Sequence, residues 1–210
     1  MTGGGTGRCL QTLETGGLGE GWSDTFAFVT EQTCAQPIDF VIGAYVSNSP
    51  GGLRTFPYSI SMSVNTSTYG YLKRWKEVHQ IGEVWANMLV NVYYPLVSKY
   101  GFSNNLFDPG QTAGNIVFLY LFMDALPLQP CNPTFPSARN AIIQADANRY
   151  GGANRCLLWK AFASRGLGVK AADHQIFPIL LAGSMEAVPP KLLSLPEPHC
   201  ALSACPVCLD

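Results

Sequence analysis

Charged side chains are scarce in this sequence. Asp, Glu, Lys and Arg make up 13% of its 210 residues, against about 25% in an ordinary soluble domain. Its 14 acids nearly cancel its 13 bases, leaving a formal net charge of −1. No basic excess is available to neutralise phosphates, so neither nucleic acid nor a membrane surface is expected as a partner. Histidine is rarer still, with three in the chain, and no His-Glu-x-x-His occurs. Long apolar runs are absent too. Ile116 to Met123 is followed at once by Asp124, too short a run to span a bilayer and suited to a buried core helix. The glycines at Gly3-Gly4-Gly5 and Gly16-Gly17 lead to no Gly-Lys-Ser/Thr, which excludes a phosphate loop. The first residues, Met1-Thr2-Gly3-Gly4-Gly5-Thr6-Gly7, have no basic start and no apolar stretch, so they do not read as a signal peptide. No internal repeat is present.

Apolar residues are plentiful, at 47% with 11% aromatics, which argues for a packed core and against disorder. Cysteine is plentiful as well. Cys9, Cys34, Cys131 and Cys156 are spread through the body of the chain, and Cys200, Cys205 and Cys208 crowd its end. Scattered cysteines suggest an oxidising compartment. Cys131 and Cys156 flank the helix expected between them, and a disulfide joining them would staple two adjacent helices. Asn65-Thr66-Ser67 makes Asn65 a glycosylation acceptor by pattern. Extracellular composition without a signal peptide is reconciled by a chain that starts inside a larger protein. The tail, His199-Cys200 with Cys205-Pro206-Val207-Cys208, resembles a zinc knuckle only loosely, because its ligand spacing is irregular.

Along the chain the reading is mainly helical. Residues 1–19 form a glycine-rich lead-in and residues 20–31 a helix. Residues 35–70, broken by Pro37, Pro50-Gly51-Gly52 and Pro57, form a long irregular region with short extended pieces. From Trp75 to Tyr94, apolar residues at 78, 81, 85, 88 and 92 make the stripe of an amphipathic helix, which Pro95 should end or kink. Further helices are expected at 114–126, 136–149 and 154–164. Residues 175–210 are proline-rich without apolar periodicity and are expected to be an unstructured or artefactual tail.

The chemistry concentrates at Gly19-Glu20-Gly21-Trp22-Ser23-Asp24. On a helix, Glu20 and Asp24 lie on one face a turn apart. Such a pair can give a zinc ion a carboxylate ligand from the Glu while the Asp holds a ligand histidine in place. The same spacing also fits a solvated helix face. The apolar sequel Phe26-Ala27-Phe28-Val29 calls for carboxylates that are paired, metal-bound or at a surface seam. His79 is read either as a structural histidine or as a donor to the oxyanion of a tetrahedral intermediate.

Several separated motifs, in order, resemble the fungalysins, secreted fungal zinc metalloendopeptidases of the thermolysin-like, glutamate-ligand class. They are Gly4-Gly5 through Asp24, Gly51-Gly52-Leu53-Arg54 with Pro57-Tyr58-Ser59, and Glu77-Val78-His79 with Ile81-Gly82 and Val84-Trp85-Ala86. Leu128-Gln129-Pro130-Cys131-Asn132-Pro133, Trp159-Lys160-Ala161-Phe162-Ala163 and Arg165-Gly166-Leu167-Gly168 follow. The resemblance implies that residues 1–174 are the helical C-terminal lobe of the catalytic domain. It implies Glu20 as the third zinc ligand, Asp24 as the acid that bonds a ligand histidine, Ser23 in the same turn, and His79 as the oxyanion donor. The activity implied is zinc-assisted hydrolysis of peptide bonds outside the cell, with proteins and peptides as substrates and a propeptide as partner in a full-length zymogen. The missing His-Glu-x-x-His would carry the other ligands and the general base. The isolated chain is therefore expected to be inactive, with apolar surface exposed around Phe26, Phe28 and 116–123. The alternative is a non-catalytic truncated isoform, or a helical interaction module that binds the propeptide or an inhibitor.

Overall fold

A computed structural model of the chain describes residues 2, 7–108 and 110–172. The tail from 175 to 210, with its three cysteines, lies outside the described residues. Six α-helices are present among those described: α1 (Leu13–Glu31), α2 (Ala44–Ser47), α3 (Val78–Tyr100), α4 (Gly114–Leu128), α5 (Phe135–Tyr150) and α6 (Arg155–Ser164). The fold is mainly helical, as read from the sequence. The only β pairing among the described residues is the isolated antiparallel bridge Phe40–Tyr58.

Helix α3 is the axis. Its residues from Ile81 to Val97 are almost all buried, and α1, α4 and α6 pack against it. Trp85, at the centre, meets Trp22 of α1, Phe135 of α5 and Phe162 of α6 at ring separations of 5.3, 5.3 and 5.9 Å. Aromatic contacts of this kind add specific geometry to area burial. Pro95 neither ends α3 nor marks its boundary. The helix runs on to Tyr100, burying Leu96 and Val97. Gly114 then sets the start of α4 so close that a Cβ there would fall 2.1 Å from the Leu96 carbonyl. Tertiary packing outweighs the lost hydrogen bond.

Helix α1 starts at Leu13, seven residues before its sequence-based boundary. Thr12 and Thr15 form a capping box, with the Thr15 amide donating to Thr12 Oγ1 at 3.2 Å and the Thr12 amide to Thr15 Oγ1 at 2.9 Å. The buried Glu14 carboxylate accepts the Phe135 amide at 2.7 Å and so ties α1 to the start of α5. Cys9 pairs with Cys131, which corrects the expected Cys131–Cys156 bridge. Cys156 is disulfide-bonded, but not to Cys131. The physical reason is the placement of the N-terminal strap. It lies along the α4–α5 turn, where Asn132 donates to the Cys9 carbonyl and accepts the Gln11 amide.

The irregular region between α1 and α3 is pinned from both ends. Arg165, fully buried after α6, donates to the backbone carbonyls of Ser59, Asn65 and Ser67. Asn65 is 1% exposed, and its Nδ2 donates to the Pro57 carbonyl at 2.8 Å. A glycan on Asn65 would have to displace this bond and bring the side chain out of the interior. Phe28 is likewise buried rather than exposed, whereas Phe26 is 49% exposed. No helix among the described residues is long and apolar enough to cross a membrane.

Candidate active-site face

Glycines decide where the carboxylates stand. Gly17 and Gly21 of α1 meet Gly82 of α3. A Cβ on Gly21 would lie 2.6 Å from the Gly82 carbonyl, and one on Gly17 would lie 2.2 Å from Ile81 Cγ2. No side chain can separate the helices there. The Cβ of Glu20 is consequently driven against Gly82, and its carboxylate reaches the first turn of α3. Glu20 Oε2 lies 3.5 Å from His79 Nε2, with both side chains substantially exposed.

The His79 ring sits between two acids. Glu77 caps α3, accepting the amides of His79 at 2.9 Å and Gln80 at 3.1 Å. Its other oxygen is 2.5 Å from His79 Nδ1. Burial opposes the Glu77 charge, but the bonds from His79 and Gln80 outweigh it and hold the carboxyl below its usual range. With Nδ1–H donated to Glu77, Nε2 is left facing Glu20 and solvent. In the neutral ring it can accept, and in the protonated ring it can donate.

Asp24, one turn beyond Glu20, is buried and clamped. Arg54 donates from Nε to Oδ2 at 2.7 Å and from Nη2 to Oδ1 at 2.9 Å, and the Tyr58 hydroxyl donates to Oδ2. Burial opposes the Arg54 charge, but the bonds and proximity to Asp24 raise its pKa further. Burial first, and then the Asp24 charge, push the Tyr58 phenol well up. A carboxylate offers about four acceptor sites, and three are filled. One site on Oδ1 remains for a further donor. Glu83 of α3 stands beyond Arg54, accepting the Thr55 amide at 2.8 Å and hydroxyl at 3.2 Å through Oε1. Burial pushes its carboxyl up, only partly offset by the two Thr55 bonds and by Arg54.

Of the residues singled out from sequence, Glu20, Asp24 and His79 gather at this α1–α3 crossing. Ser23 does not join them. It is exposed, and its hydroxyl donates to the Glu20 carbonyl at 2.8 Å. Among the described residues no group of three or more His, Cys, Asp or Glu is arranged to hold a metal ion. Sequence reasoning assigned no roles to Arg54, Tyr58 and Glu83. A signal existed: Arg54 is the only Asp, Glu, Lys or Arg between Asp39 and Lys73, and Glu83 the only one between Glu77 and Lys99. An isolated charge in a long neutral stretch needs a partner when buried.

The family model for Fungalysin metallopeptidase matches residues 1–171. The chain is 44% identical over 170 residues to Extracellular metalloproteinase 1 of Trichophyton equinum, covering 78% of this chain and 28% of that protein. It is 45% identical over 167 residues to Extracellular metalloproteinase MEP of Pyricularia oryzae, covering 76% and 26% respectively. The chain thus spans about a quarter of the length of these curated relatives.

Proposed function

This chain belongs to the fungalysin metallopeptidases, and from that premise we propose that residues 1–174 serve as the C-terminal part of the catalytic domain of an extracellular zinc endopeptidase. The observation that carries this reading is the division of labour on one face of α1. Glu20 offers a carboxylate whose side chain is 38% exposed. Asp24, a turn away, is buried and clamped with one acceptor site open. The first suits a metal ligand, and the second suits an acid that receives a ring N–H from a ligand histidine.

The residues fit part of a zinc site, not the whole. A catalytic zinc takes three protein ligands and an open position, and this chain supplies Glu20. The other ligands and the general base must come from a His-Glu-x-x-His helix outside these 210 residues. When bound there, the metal would supply Lewis acidity for peptide hydrolysis. The chain's own contribution is orientation. Glu77 fixes the His79 ring, and a protonated Nε2 on this exposed side chain can hydrogen-bond an anionic oxygen developing on a peptide carbonyl. Arg54 and Tyr58 hold Asp24 in place. Substrates are proteins or peptides, and in a zymogen the propeptide would cover the same face of α1 and α3. The extracellular placement rests on the relatives' names and on the Cys9–Cys131 disulfide.

The test is to read the transcript upstream of Met1 and to express the longest open frame. An in-frame His-Glu-x-x-His ahead of Glu20, zinc bound at one equivalent, and loss of both zinc and proteolysis in Glu20→Gln are the expected results. A complete frame without that motif, or full zinc retention in Glu20→Gln, would overturn the reading.

A further inference from the structure

Three polar residues interrupt the buried length of α3 at four-residue intervals: Glu83, Asn87 and Asn91. All three are at most 7% exposed. They form a ladder along one line of the helix, and every rung holds the irregular segment that carries Arg54 and Tyr58. Glu83 accepts from Thr55 at its amide and hydroxyl. Asn87 Oδ1 accepts the Ser59 amide at 2.9 Å, and Asn91 Nδ2 donates to the Ser59 carbonyl at 3.3 Å. Ser59 is already gripped by Arg165, and Tyr58 is paired with Phe40 in both directions. The Tyr58 end of the segment is therefore fixed several times over.

The Arg54 end is different. Leu53 donates its amide to the Ile42 carbonyl, and the next anchor is Thr55 on Glu83. One side chain fixes the backbone immediately after Arg54. Glu83 does so at a cost, because its Oε2 is buried with no hydrogen-bond partner. A buried carboxylate with one oxygen unpaired is destabilising.

We infer that Glu83 is a positioning residue: through Thr55 it orients Arg54 on Asp24, so that the free acceptor site of Asp24 Oδ1 faces the zinc-histidine position. This rests on the reading of Asp24 proposed above. The linkage runs through a hydrogen bond, so the amide of Gln, which keeps an acceptor oxygen, should substitute for the acid. Removal of the side chain should not.

Two measurements judge it. The first needs no metal and no proteolysis: ¹⁵N exchange spectroscopy of the full 210-residue chain, comparing wild type, Glu83→Gln and Glu83→Ala. The expected result is an Arg54 Nε–H that exchanges about ten-fold faster or more in Glu83→Ala but stays protected in Glu83→Gln, while the amides of α5 are unchanged. Unchanged Arg54 exchange in Glu83→Ala, or uniform acceleration across α5, would reduce Glu83 to a structural residue. The second is a double-mutant cycle on kcat/KM in the complete zinc enzyme. Glu83→Ala should cost about 10–100-fold, Glu83→Gln should recover most of it, and Glu83→Ala with Arg54→Ala should lose no more than Arg54→Ala alone. Multiplicative losses would overturn the inference. A wild type that lacks zinc-dependent activity would instead refute the proposed function, leaving the exchange result to decide on Glu83.

Discussion

Asp24 and Glu83 carry the same charge in one neighbourhood, and their surroundings set them apart. Asp24 is met by a bidentate guanidinium and a phenol, whereas Glu83 has one oxygen bonded and one bare. Asp24→Ala would leave the partly buried Arg54 charge and the buried Tyr58 hydroxyl without their acceptor, and breaking a buried pair costs up to about 3–5 kcal/mol. Urea unfolding should show that loss, and a change below about 1 kcal/mol would contradict the pairing. Glu83 predicts a pH dependence. An unfolded glutamate titrates near about 4.3, while the folded carboxyl is pushed up, chiefly by burial. The folded state therefore holds the proton to higher pH. Stability from this group is present below the unfolded value and falls as pH rises through the folded one. Urea midpoints across that interval should decline for wild type more steeply than for Glu83→Gln, and parallel curves would dismiss the effect. At this scale, sequence spacing revealed Glu20 and Asp24 because helical periodicity links them. It could not pair Asp24 with Arg54, 30 residues away, since loop paths carry no period.

Element boundaries follow a similar logic. The helices at 114, 136 and 154 were legible within a residue or two, because caps, prolines and glycines bracket them. The start of α1 was not. Gly16, Gly17 and Gly19 have poor helix propensity and read as a lead-in, yet the Thr12 capping box and the close crossing on Gly82 hold them helical. Propensity lost to packing, and the glycine spacing is the trace of that packing. The crossing predicts a contrast between two chemically identical substitutions. Gly21→Ala would drive a methyl into the Gly82 carbonyl and Trp85, costing about 1–3 kcal/mol. It would also move Glu20 away from His79. Gly19→Ala meets only the flexible end of Leu10 at 3.2 Å. It should be neutral or gain up to about 1 kcal/mol from helix propensity. Thermal melts of the two variants should shift in different directions, or by clearly different amounts. Equal shifts would refute the close crossing as the determinant.

For the whole molecule, connectivity and completeness matter most. Cysteine pairing was beyond the sequence, since seven cysteines allow many partners and the strap that brings Cys9 to Cys131 has no periodic signal. That bridge closes 122 residues, and a loop of this size is worth about 2–5 kcal/mol to the folded state. Cys9→Ala should lower the urea midpoint accordingly, and an unchanged midpoint would show that Asn132 and Glu14 suffice to hold the strap. The catalytic prospects of the isolated chain follow from the same accounting of parts. Glu20, Asp24 and His79 are gathered by α1 and α3, but on the reading proposed above Glu20 would be the one zinc ligand among them, and one carboxylate would leave zinc mostly hydrated. The 210 residues alone should therefore bind zinc weakly and show no zinc-dependent cleavage of a casein substrate. Supplying the proposed His-Glu-x-x-His helix in the same polypeptide should restore both. Chelator-sensitive proteolysis by the purified 210-residue chain would show that this half of the site holds a working metal on its own.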